Sequence, residues 1–122
     1  MEKRIVIAGS RDFNDYSFFS AKVDMCLSRI RKEFELIIVS GHCSGVDLMG
    51  ERYAKENGFK VEIFPAEWKK YGKSAGARRN KQMVDISDFA IAFPKESGSK
   101  GTQFMINFAK EKGIPVKIFP VK

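Results

Sequence analysis

Five short apolar runs punctuate the chain, at residues 4–8 (RIVIA), 36–39 (LIIV), 61–64 (VEIF), 89–93 (FAIAF) and 116–119 (VKIF). The first, second and fourth are continuous, which is the pattern of strands covered on both faces of a parallel sheet. The third alternates with Lys60 and Glu62. Each run meets a breaker: Gly9, Ser40-Gly41, Pro65, Pro94 and Pro120.

Helical spacing fills the gaps. Tyr16, Phe19, Val23, Leu27, Ile30 and Phe34 recur every three or four positions and share one face. Val46, Met49, Tyr53 and Ala54 do the same, and Gly58 suits a C-terminal cap. Residues 77–86 form a shorter, more polar helix. Phe104, Met105, Phe108 and Ala109 make the last stripe, with Gly113 and Pro115 as its stop. The order β-α-β-α-β-α-β-α-β predicts an α/β fold with a mainly parallel five-stranded sheet and right-handed crossovers. Residues 65–76 are the one long irregular stretch expected, and such stretches often serve function.

A chain of 122 residues suits one domain, residues 1–122, and 43% hydrophobic residues suffice for a core. No apolar run is long enough to span a bilayer, so no membrane partner is expected, and MEKRIVIAG is too short in apolar residues for a signal peptide. Cys26 and Cys43 do not make a disulfide framework, so a cytoplasmic setting with both thiols free is the expectation. Lys plus Arg number 22 against 15 Asp plus Glu, a formal charge of +7 that favours anionic partners such as nucleotides or nucleic acid. The excess is scattered, with one dense cluster at Arg78, Arg79, Asn80 and Lys81. His42 and Cys43 are too few to hold a metal, and neighbours in sequence rarely converge as a catalytic triad, so neither a metal nor a cofactor is expected.

In open α/β sheets, ligands bind beyond the carboxyl ends of the strands. Three polar, glycine-containing loops follow strands here. They are Gly9-Ser10-Arg11-Asp12, then Ser40 through Gly41 and Gly45 to Asp47, and then Pro94 through Ser97, Gly98 and Gly101 to Thr102. Small residues let backbone approach a ligand, and a helix start offers free N–H groups to an anion. The fingerprints GxGxxG, GxxxxGK[ST] and GxSxG are all absent, which counts against a dinucleotide fold, a P-loop and an α/β-hydrolase.

The motifs GSRDF, SGxxxGVD, GKSAGARRNKQM and SGSKGT, in this order, resemble the SLOG superfamily, and its small stand-alone YspA-like members most of all. That superfamily also includes the LOG phosphoribohydrolases and the DNA-processing protein DprA. The resemblance runs from the first strand to the last. It implies a Rossmann-like three-layer sandwich with a nucleotide or nucleotide-derived ligand at the strand ends. The phosphate is expected against Gly9, Ser10, Arg11 and the loop from Ser97 to Thr102. Arg79 occupies a place similar to the LOG arginine, and Gly101-Thr102 matches the LOG glycine-threonine step. Met105 stands where LOG enzymes carry their catalytic glutamate, and the loop before Gly101 is longer, which together count against hydrolysis of the LOG type. LOG relatives commonly pair through helices, so a homodimer is implied.

Each candidate has an ordinary alternative. Arg11 is expected to grip a phosphate, or else to pair with Asp12 or Asp47. Asp47 either compensates a helix N-terminus or accepts hydrogen bonds from ligand or loop. Arg79 and Asn80 are expected near a helix start, contacting ligand. Trp68 and Tyr71 are expected to pack more than to stack on a base, and Phe18, Phe19, Phe104 and Phe108 to lie in a core or interface. Two other functions stay open: a nucleotide hydrolase using Asp47, Glu67 or Glu96, and single-stranded nucleic-acid binding, to which the charge contributes.

Overall fold

A computed structural model describes all of residues 1–122. Five strands form one sheet: β1 (Glu2–Gly9), β2 (Glu35–Ser40), β3 (Lys60–Ile63), β4 (Phe89–Phe93) and β5 (Val116–Ile118). Their order is β3-β2-β1-β4-β5 and every pairing is parallel. The sheet is therefore wholly rather than mainly parallel. Five helices accompany it: α1 (Tyr16–Leu27), α2 (Val46–Asn57), α3 (Trp68–Tyr71), α4 (Ala75–Asp85) and α5 (Lys100–Lys112).

Alternation along β1 explains the three layers. Ile5 and Ile7 face one core, with Phe19 and Val23 of α1 and Met49 and Tyr53 of α2. Val6 and Ala8 face the other, with Met83 and Val84 of α4 and Met105 and Ile106 of α5. Both faces are covered, so both registers of the strand are apolar. Fully burying a side chain such as Ile5 or Val6 contributes about 1.5–3 kcal/mol.

Three local expectations need correction. The α1 stripe does not belong to one helix: α1 ends at Leu27, where Ser28 N–H still donates to Asp24 O, and a 3-10 turn at Ile30–Lys32 follows. Ile30 and Phe34 nevertheless pack on the same core, because a 3-10 turn also repeats about every three residues. Residues 65–76 are irregular only as far as Glu67; beyond it they hold α3, a 3-10 turn at Gly72–Ser74 and the start of α4. That start at Ala75 puts Arg79 and Asn80 within α4 rather than at its beginning.

The chain winds from β1 outward to β3, then returns to β4 on the other side of β1. This reversal opens a crevice beyond the ends of β1 and β4, where the connections diverge. Gly9 lies at its root. A Cβ on Gly9 would sit 2.9 Å from the Phe93 carbonyl carbon and nearer still to its oxygen, so only glycine permits β1 and β4 to stay paired here.

Candidate functional site

The crevice is a cleft of about 420 Å³. From the loop after β1 it takes Gly9, Ser10, Arg11 and Asp12. The loop after β4 and the start of α5 add Lys95, Gly98, Ser99, Lys100, Gly101 and Thr102. Cys43, Asp47, Arg79 and Asn80 come from α4 and the β2–α2 segment. Ten of the thirteen residues singled out in the sequence thus converge; Gly41, Gly45 and Ser97 do not line this cleft.

Gly41 and Gly45 act one layer out. Gly45 has φ +75°, and a Cβ there would be 2.6 Å from the Arg11 carbonyl carbon, so the turn before α2 presses directly on the β1 loop. Val46 N–H donates to Ser10 O, and Ser44 Oγ to Arg11 O, at 3.1 and 3.2 Å. The loop carrying Arg11 is thereby held from beneath. Gly41 sits under Arg79, and Ser97 is exposed on the loop rim.

Arg79 is 7% exposed. Its Nη1 donates to Gly41 O at 2.8 Å and to Phe64 O at 3.5 Å, and its Nε donates to Asn80 Oδ1 at 2.9 Å. Asn80 Nδ2 in turn donates to Gly101 O at 2.9 Å. One buried polar chain therefore ties the ends of β2 and β3 through α4 to the first turn of α5. Most of the guanidinium is committed to protein oxygens at the cleft floor.

Arg11 is exposed and pairs with neither Asp12 nor Asp47; Asp12 instead accepts from Lys95 Nζ at 2.8 Å. That pair holds the Asp12 carboxyl below its ordinary range, through the hydrogen bond first and the charge of Lys95 second. Asp47 is 6% exposed in the first turn of α2, where its Oδ2 accepts from Cys43 N–H at 3.2 Å. Burial pushes its carboxyl up to about 6, against the opposing pull of the Cys43 amide and the Arg79 charge.

The start of α5 offers open donors to the cleft. No side chain caps it, and the N–H groups of Lys100, Gly101 and Thr102 have no partner within the protein, whereas Gln103 N–H reaches Ser99 O. Ser99 Oγ donates to Thr102 Oγ1 at 3.2 Å across the same turn. Free amides and the positive end of the helix dipole favour negative charge at such a turn.

Met105 is fully buried in the α4–α5 core, away from the cleft. Glu67 and Glu96 are exposed and line neither this cleft nor its neighbour. Lys95, Ser99 and Lys100 belong to the cleft although they were not singled out as contacts, and their signal was the same strand-end position as their neighbours.

Residues 3–71 match the YspA, cpYpsA-related SLOG family, and the chain belongs to that family. It is 35% identical over 121 residues to the Gene 61 protein of Mycobacterium phage D29, covering 93% of this chain and 94% of that protein. Among solved structures, DNA processing protein A (DprA) from Streptococcus pneumoniae superposes with a TM-score of 0.72 at 22% identity. The match covers 98% of this chain but 51% of DprA, so the chain spans about half of that protein. DprA from Helicobacter pylori, whose structure concerns its single-stranded DNA binding mode, gives 0.65 at 17% identity over 98% of this chain and 66% of its own. The structural-genomics target TM1055 gives 0.65 at 17% identity, covering 93% and 72%. These likenesses show the fold. No helix is long and apolar enough to cross a membrane.

Proposed function

We propose that residues 1–122 act as one domain that binds a nucleotide or nucleotide-derived small molecule in the cleft beyond β1 and β4. The observation that carries this reading is the uncapped first turn of α5, facing a cleft that also holds Arg11, Lys95 and Lys100. Three free amides and the two cations Arg11 and Lys100, both free of any carboxylate partner, suit a phosphate, with Lys95 held beside them by Asp12. Family membership and the strand-end position support the same reading. The cleft offers no glutamate; Asp47 is its only buried carboxylate, and Asp12 is already paired. That favours binding over hydrolysis.

A thermal-shift screen with nucleoside monophosphates, ADP-ribose, NAD, cyclic nucleotides and a short single-stranded oligonucleotide tests it. A ligand at a hundred times its dissociation constant stabilises the fold by about 2.7 kcal/mol. The control is the Arg11→Ala, Lys100→Ala double variant, because both side chains are exposed and neither supports the fold. Stabilisation by a nucleotide, lost in that variant, is the expected result. Stabilisation by the oligonucleotide alone, falling steeply with salt, overturns it for a nucleic-acid reading. The net charge of +7 and the single-stranded DNA binding of the Helicobacter DprA speak for that second reading.

A further inference from the structure

A second groove, of about 390 Å³, opens beside the cleft and shares Arg11, Cys43 and Arg79 with it. Its walls differ in chemistry. Ile63, Pro65 and Trp68 supply apolar wall, and no carboxylate lines the groove; Glu51 and Asp47 reach its lining only through His42 Nδ1, at 2.8 Å, and Cys43 N–H, at 3.2 Å. Trp68 is 54% exposed, against the expectation that it packs. Its indole takes part in no aromatic pair and lies under no cation. Tyr71, one turn on, is different: Arg78 lies 4.4 Å and Lys70 5.1 Å from its ring centroid. The Trp68 indole lies beside Gly76, where an added Cβ would come 3.4 Å from Cη2. A half-exposed indole that lines a groove is a stacking platform.

Resting on the reading of the cleft as a phosphate site, we infer that the nucleobase of the same ligand stacks on Trp68 in this groove. The ligand class is a nucleotide whose phosphate lies at α5 and whose ribose crosses over Arg11. Continuity of the two clefts through three shared residues is what commits the groove to this occupant. A separate apolar partner would have to settle against Arg11 and Arg79.

Trp68 is the only tryptophan, so intrinsic fluorescence reports this residue alone. The experiment titrates AMP, GMP, CMP, UMP and ADP-ribose, with ribose 5-phosphate as the base-free probe, and follows fluorescence and calorimetry together. Quenching by a nucleotide but not by ribose 5-phosphate is expected. Trp68→Ala should weaken that nucleotide about ten-fold or more while leaving ribose 5-phosphate unchanged, and Trp68→Phe should recover part of the loss. Calorimetric binding that is lost in the Arg11→Ala, Lys100→Ala variant but neither quenches Trp68 nor weakens in Trp68→Ala sinks the stacking inference and leaves the cleft reading intact. No calorimetric binding by any of these compounds overturns both. Quenching by a single-stranded oligonucleotide but by no mononucleotide overturns the proposed occupant.

Discussion

Arg79 Nη1 donates to the carbonyl oxygen of Gly41 at 2.8 Å, and the Gly41 α-carbon faces the guanidinium so closely that a Cβ would lie 2.7 Å from the same nitrogen. The glycine and the buried arginine therefore require one another. Arg79→Ala leaves the Gly41 carbonyl and Asn80 Oδ1 short of donors and should destabilise by about 2–4 kcal/mol. Gly41→Ala should cost about 1–3 kcal/mol by overpacking. With the guanidinium already gone, Gly41→Ala should cost less, a coupling readable in a double-mutant cycle of urea midpoints. Strict additivity would mean that the two residues do not depend on each other as their geometry indicates.

Asp47 makes stability fall with pH. Burial raises its carboxyl to about 6 from an ordinary 3.8, so the folded state holds the proton more tightly than the unfolded chain. This contribution is fully present below about pH 4 and is lost as pH rises through about 6, on the order of 3 kcal/mol in all. Asp47→Asn keeps an acceptor for Cys43 N–H without the charge. Relative to wild type, it should gain stability between pH 4 and pH 7. Equal melting differences at both ends of that window would refute the assignment.

The first turn of α5 permits a clean test of amide donation. Lys100 is the first residue of α5 and Ser99 before it is extended, at φ −154° and ψ 108°, so proline fits at position 100 without strain. Lys100→Pro should keep the melting temperature within a few degrees. Its nucleotide affinity should fall about ten-fold below that of Lys100→Ala, since charge loss is common to both and only the N–H differs. Matching affinities would take the Lys100 amide out of the site.

Gly9→Ala should be the most damaging of the glycine changes at the cleft. The added carbon meets the backbone of Phe93, which cannot swing away as a side chain can. A loss of at least about 3 kcal/mol in denaturant unfolding, or no folded protein, is expected. Gly98→Ala meets nothing within 4 Å and, despite φ +107°, should cost about 1–2 kcal/mol. Similar costs at the two sites would contradict the close approach of β1 and β4.

The periodic signals in the chain were sufficient for the sheet and for the loops that matter. Ile5 to Ala8 and Ala90 to Phe93 had to be continuous apolar runs, because both faces of a parallel strand are buried. The polar segments following β1, β2 and β4 were legible for the complementary reason: where a strand leaves the core, its chain turns polar and small. Ser10, Asp47 and Thr102 follow three different strands and meet at one edge of the sheet for that reason.

Periodicity says which residues share a face, but not what that face meets. Arg79 lies amid polar residues in sequence, yet it turns inward, because carbonyls of Gly41 and Phe64 from two different strand ends need its donors. Trp68 has the composition of a core residue and stays outside, because α3 is a four-residue helix with no buried residue. Met105 joins an apolar core rather than the cleft, since the turn of α5 carries it to the sheet while Thr102 remains at the edge. Strands, most apolar helix stripes and the edge at which polar loops gather are legible in the residue order, because they follow from burial along a local period. Which of those loop residues keep free donors at the cleft emerges only on folding, because it depends on donors and acceptors arriving from β2, β3, α4 and α5 at once.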